Sequence, residues 1–213
     1  MERSAEQFYA IARFARVIGA IDCTLIKIDS PAGEDVEIFR YRKSFFALNM
    51  QTVSVTNLKI RDIGVRWPGA THDQTIFNNS NLKHEFENGT YGRFPLVGDS
   101  GYALQPYLMT KLQEARTAAE NLYNESIIRT RDVVARQYGV WKRRFPILRF
   151  GMRLNLDSVM AIVVATAVLH NIAIEMKEPR PNEEADFVVE DHEEERDNVI
   201  NVNNARHHRQ LNK

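Results

Sequence analysis

Arg16-Val17-Ile18-Gly19-Ala20-Ile21-Asp22-Cys23-Thr24 is the stretch whose reading decides the fold. A β-branched apolar run of this length, interrupted only by Gly19, predicts a central strand buried on both faces. The run ends on a carboxylate instead of alternating into a polar face. An acid at the end of a buried strand is costly unless a metal, a cation or a set of backbone donors meets it. Asp22 therefore has two readings: an Asx-type turn or cap at the strand end, or a metal-binding carboxylate.

Working outward, residues 3–14 place Phe8, Ile11 and Ala12 at helical spacing and predict a short amphipathic helix leading into the strand. After Asp22 the chain stays extended to Asp29, and Ser30-Pro31-Ala32-Gly33-Glu34-Asp35 is turn chemistry. Residues 44–56 and 58–67 read as two further strands with a hairpin near Thr56-Asn57. Trp67-Pro68-Gly69-Ala70-Thr71-His72-Asp73 breaks the second of these, and a helix carrying Ile76, Phe77 and Leu82 is expected to start at a cap near Thr71 or Asp73. Phe94-Pro95-Leu96-Val97-Gly98-Asp99-Ser100-Gly101-Tyr102 is a second apolar strand ending on an aspartate, with two glycines that permit close approach. Helices are expected over residues 102–112, 118–141 and 156–176.

The 213 residues are 44% apolar and 26% charged, the balance of a globular domain with one core. Net charge is zero, but residues 178–213 hold ten acids against five Lys/Arg, leaving 18 acids and 23 Lys/Arg in the body. We therefore divide the chain into a mildly basic domain, 1–177, and an acidic tail, 178–213, with too few large apolar residues to order itself. A charge split of this kind suits a nucleic-acid partner. Cys23 is the sole cysteine, which excludes an internal disulfide and points to a reducing compartment. No secretory signal pattern opens the chain. The most apolar window, 158–174, carries His170 and Asn171 and falls short of the ~20 apolar residues a bilayer requires, so a core helix is expected and no membrane.

Two buried strands that each end on Asp describe a mixed sheet with acids converging at one edge. Asp22 and Asp99, with Asp73 at the mouth of a helix as a third, have the hard oxygen ligands that hold a divalent cation.

Seven blocks in order carry a resemblance. They are Gly19-Ala20-Ile21-Asp22-Cys23-Thr24; Arg42-Lys43 with Asn49-Met50-Gln51; Trp67 to Phe77; Leu96-Val97-Gly98-Asp99-Ser100-Gly101-Tyr102; Tyr123-Asn124; Phe145-Pro146; and Val168-Leu169-His170-Asn171. From about Phe8 to Glu175 the chain resembles the DDE nuclease domain of PIF/Harbinger transposases and their domesticated relatives. That resemblance implies an α/β, RNase H-like mixed sheet flanked by helices, and two-metal cleavage of DNA with Mg²⁺ or Mn²⁺. Asp22, Asp73 and Asp99 would be the metal ligands, and Asp22 and Asp99 the catalytic pair. The family pattern also places a glutamate in the long helix, in a run like Val-Glu-Arg-x-Phe-Gly. This chain has Val134-Ala135-Arg136-Gln137-Tyr138-Gly139, so Ala135 stands where that carboxylate belongs. Asp132 lies three residues earlier on roughly the same helical face and is the candidate substitute.

Between Arg129 and Arg153 eight Lys/Arg face one acid, Asp132, with Tyr138, Trp141 and Phe145 interleaved. A solvated helix face usually recruits acids for i,i+4 pairing, so phosphate contact is the better reading, through Arg136, Lys142, Arg143 and Arg144. His170-Asn171 reads as a satisfied core pair. The resemblance implies DNA as substrate, nuclear localisation with the cytoplasm second, and a separate DNA-binding partner protein. The expected function is a metal-dependent DNA endonuclease impaired at Ala135. The alternative is a scaffold that binds DNA or protein without catalysis.

Overall fold

In the computed structural model, which describes residues 1–31, 36–41 and 45–182, the run around Asp22 becomes β1 (Gly19–Ile28), the middle strand of a five-stranded mixed sheet. After α1 (Glu2–Ala12), β1 pairs antiparallel with β2 (Phe46–Ser54), which pairs antiparallel with β3 (Ile60–Pro68). Two short helices follow, α2 (Asp73–Asn78) and α3 (Asn81–Glu87). The chain then returns to the other side of β1 as β4 (Leu96–Val97) and β5 (Leu108–Met109), both parallel to it, giving the order β3-β2-β1-β4-β5. The helices α4 (Ala118–Arg144), α5 (Ile147–Phe150) and α6 (Leu156–Glu175) complete Met1–Arg180 as one unit. This is the α/β, RNase H-like sheet flanked by helices that the sequence predicts.

β1 is buried on both faces because its side chains alternate between two cores. Ala20, Ile26 and Ile28 pack in the core that α4 covers, with Trp141, Val133 and Val134. Ile21 and Cys23 pack on the opposite side with Ile76, Phe77, Phe86 and Tyr102. Full burial of Ile21 and Ile26 stabilises by roughly 1.5–3 kcal/mol each. A Cβ on Gly19 would stand 2.6 Å from Val53 Cγ1 and 2.9 Å from Leu96 Cδ2, so glycine is what lets β2 and β4 flank the strand together.

The helix α4 begins at a capping box, Thr117 with Glu120, worth about 1 kcal/mol. It is pinned across the sheet by buried hydroxyls of β2: Ser54 donates to Gln137 Oε1 at 2.9 Å, and Thr52 shares its one proton between the Tyr138 hydroxyl at 2.9 Å and, more weakly, Gln137 Oε1 at 3.4 Å. The helix α6 is fixed to the β2–β3 hairpin by side chains acting as an extra strand. Asn171 accepts from Ile60 N–H and donates to Ile60 C=O, and His170 Nε2 donates to the Leu58 carbonyl, where the backbone turns with φ 69°.

Four expectations need correction. Asp22 does not end its strand: β1 runs on for six residues, and the acid sits mid-strand. Residues 102–112 form no helix but turns and β5, because Pro106 lacks an N–H and disfavours helical backbone before it. The single helix expected from Asp73 is two, since Ser80 caps a new one through Lys83 N–H. The helix α6 is buried along one face only. It is long and apolar enough to cross a bilayer, yet Val159, Val163, Ala167, His170 and Ala173 pack inward while Val164, Val168, Leu169, Ile172 and Met176 stay exposed.

The turn expected at residues 30–35 lies outside the described residues from Ala32 to Asp35, as do Arg42, Lys43 and Ser44. The disordered acidic tail expected over 178–213 lies outside them from residue 183 onward. Its first residues belong to the body, where Arg144 pairs with Glu178 and donates to the Pro179 carbonyl.

Candidate active site

Along β1, β4 pairs with Gly19 and Ala20 and ends there, so its ladder with β1 stops before Asp22 and leaves that flank open. Gly98-Asp99 turns into that opening. The Gly101 N–H donates to Asp99 Oδ1 at 2.9 Å and closes the turn, and a Cβ on Gly101 would lie 2.9 Å from the same oxygen. Any other residue there would push Asp99 aside. Asp73 arrives from the first turn of α2. Asn49 of β2 holds it, donating from Nδ2 to Asp73 Oδ1 at 3.2 Å and to the Thr71 carbonyl at 2.9 Å. Asp22 itself accepts the Cys23 N–H at 2.8 Å.

Strand, loop and helix thus bring Asp22, Asp73 and Asp99 together, with one oxygen from each lying within 4.8 Å of the others. Three carboxylates so close repel one another. Burial first, then the charges of Asp99 and Asp73, push Asp22 up to about 8, although Arg131 and the Cys23 N–H pull the other way. Beneath them the Cys23 thiol touches the Tyr102 hydroxyl at 3.3 Å, and Gln51 Nε2 donates to that hydroxyl at 3.1 Å. Burial and the charge of Asp73 push the thiol up as well, so it packs as a neutral group. The donor set is all hard oxygen on three rigidly held elements, which suits a divalent cation and lowers the mutual repulsion when one binds.

The helix α4 closes the other side. The Tyr138 hydroxyl donates to the Asp22 carbonyl at 2.7 Å, Lys142 Nζ donates to Thr24 Oγ1 at 2.6 Å, and Arg131 Nη1 stands 3.8 Å from Asp99 Oδ2. Arg131, Ala135, Tyr138 and Lys142 follow at i, i+4, i+7 and i+11, one stripe of the helix. Ala135 is therefore flanked by three residues that touch the carboxylates or their strand. It is exposed, and with Ile11, Arg129, Asp132 and Arg136 it lines an open groove of about 420 Å³.

A family model described as DDE superfamily endonuclease matches residues 21–171, a span that takes in the three aspartates and Ala135. The chain belongs to the DDE superfamily endonucleases. Relatives of this DDE domain include the protein named "Putative nuclease HARBI1" from Bos taurus, 31% identical over 173 residues, which cover 80% of this chain and 49% of that one. The Homo sapiens protein of the same name is 30% identical over the same shares. "Protein ALP1-like" from Arabidopsis thaliana is 25% identical over 194 residues, 84% of this chain and 48% of that one. The DDE chain spans about half the length of the curated relatives it matches. No solved structure matches it with significance.

The basic residues named from sequence do not share one surface in the DDE domain. Arg136 is exposed in the groove, and Arg143 lies seven residues on along the same side. Lys142 turns in to Thr24, and Arg144, its side chain 13% exposed, is engaged by Glu178. Asp132 lines the groove beside Ala135 and lies outside the group of converging acids. Sequence reasoning missed Asn49, Tyr138 and Arg131 as parts of the site. Arg131 was visible as a member of the basic run, but nothing in the sequence tells which of its cations turns toward the strand ends.

Proposed function

We propose that this chain is a transposase-derived, metal-dependent DNA endonuclease domain whose catalysis is impaired by the alanine at position 135. The observation that supports the reading is the convergence of Asp22, Asp73 and Asp99 within 4.8 Å on the central strand, a loop and a helix of a DDE-family fold. Asp22 and Asp99 would hold a divalent ion between them, Mg²⁺ or Mn²⁺, and Asp73, steadied by Asn49, would complete its ligands. When bound, such an ion supplies an activated water and stabilises charge on a phosphodiester. The chain's own part is to fix the oxygens and to shield them beneath α4, with Tyr138 and Lys142 holding that helix to β1. Ala135 removes a carboxylate from the helix side, and loss of one electrostatic element in a preorganised site costs on the order of 100-fold in rate.

DNA as substrate and the nucleus as location go with this reading, as does a separate DNA-binding partner protein. Incubating supercoiled plasmid with the protein and Mn²⁺ tests it: slow nicking that chelator and Asp99→Ala both stop is expected. A second reading, a scaffold that binds DNA or protein without cutting, is favoured by Ala135. It gains if nicking is absent while binding to duplex DNA persists.

A further inference from the structure

Arg131 reaches Asp99 from α4, and position 135 lies one helical turn farther along the same stripe of that helix. A site built for two divalent ions needs ligands on both sides of the shared aspartates, and the side given by α4 carries a methyl group at 135 and a guanidinium at 131. The guanidinium at 131 already sets a positive charge beside Asp99 on that side, where a second ion would need an acid. The Arg131–Asp99 separation of 3.8 Å is an ion contact without a hydrogen bond, so the guanidinium's planar fork of donors is not consumed by the acid. Its side chain is 35% exposed where that of Asp99 is 11% exposed, so the fork is open to an incoming group. An arginine with free donors beside an acidic cation site suits a phosphate, whose oxygens it grips bidentately.

We propose that Arg131 takes the place of the second cation: the site binds one divalent ion, and Arg131 contacts the phosphate that is to be cut. This rests on the DNA reading above. Arg131 is then a substrate-contacting residue, whereas the bland role would be to offset the charge of the carboxylates alone.

Two measurements on the full chain test it. Titration with Mn²⁺ in the absence of DNA should count one ion in the wild-type protein and two in Ala135→Glu; two in the wild type would overturn the proposal. Binding of a labelled DNA duplex in Ca²⁺ should weaken about tenfold or more in Arg131→Ala, with the salt slope flattened by about one, and recover in part in Arg131→Lys. If Arg131→Ala binds duplex with unchanged affinity and slope while holding Mn²⁺ more tightly, Arg131 offsets charge only and the proposal falls, with the DNA reading intact. If the wild-type protein binds no duplex, both fall.

Discussion

The Tyr138 hydroxyl of α4 donates a 2.7 Å hydrogen bond to the main-chain carbonyl of Asp22. The acid's own backbone is therefore held by the helix that closes the site, and the same hydroxyl accepts from Thr52 on the neighbouring strand. Tyr138→Phe removes the hydroxyl and leaves the Asp22 carbonyl without this donor, while Thr52 keeps only its longer contact to Gln137 Oε1, at a cost of about 1–3 kcal/mol. Urea unfolding should show that loss as a lower midpoint with unchanged slope. A midpoint equal to the wild type would mean that α4 is held by its apolar contacts alone.

The carboxylates are a source of instability when no cation is present. Asp22→Asn keeps an oxygen to accept the Cys23 N–H but removes a carboxyl group whose ionisation burial and the charges of Asp99 and Asp73 penalise in the folded chain. The metal-free variant should melt about 2–4 °C higher than the wild type, the shift that ~1 kcal/mol gives in a domain of this size. It should also lose the stabilisation that Mn²⁺ confers on the wild type. A lower melting temperature without metal would show that the cluster is not strained by its charges.

Asn49 lies in the apolar run of β2 and orients Asp73. Asn49→Ala should weaken Mn²⁺ binding 10–100-fold, the usual effect of removing a partner that orients a metal ligand, without abolishing folding. Calorimetric titration reads this directly, and unchanged affinity would remove Asp73 from the ligand set.

His170 makes stability depend on pH. Burial lowers it from its ordinary value of 6.5, and the nearby charge of Arg144 adds to the effect. Above 6.5 the imidazole is neutral in both the folded and the unfolded chain, so nothing is lost. As pH falls below 6.5 the unfolded chain takes up the proton first, and stability drops. Denaturation midpoints should therefore decline from pH 7 to pH 5, and His170→Gln, which can still donate to Leu58, should flatten that part of the decline. The same slope in both proteins would assign the decline to other groups.

Much of this was legible in the sequence because burial leaves a mark there. The runs around Ile21 and Val97 announced strands covered on both faces, and the acids at Asp22 and Asp99 stood out against them. The extended run past Asp22 was legible, but that it continues the same buried strand was not, since Thr24 and Lys27 look like an exit to solvent while Thr24 is in fact covered by Lys142. The strand β5 was missed because two residues paired on an edge carry no periodicity. The basic run misled for a related reason: spacing shows that Lys142 and Arg144 lie on α4 but not that one bonds to Thr24 and the other to Glu178. The groups that orient the site, Asn49 and Tyr138, act across strands far apart in sequence and have no local signature.

The central claim is that the carboxylate constellation of a DDE endonuclease survives here with its helix acid missing at Ala135. Mn²⁺-dependent cleavage of duplex DNA by Ala135→Glu, measured beside the wild type and the Ala135→Glu/Asp22→Ala double variant, tests it most directly. The account predicts a gain on the order of 100-fold on restoring the glutamate and its complete loss when Asp22 is removed. No gain from the glutamate, or a gain that persists without Asp22, would contradict it.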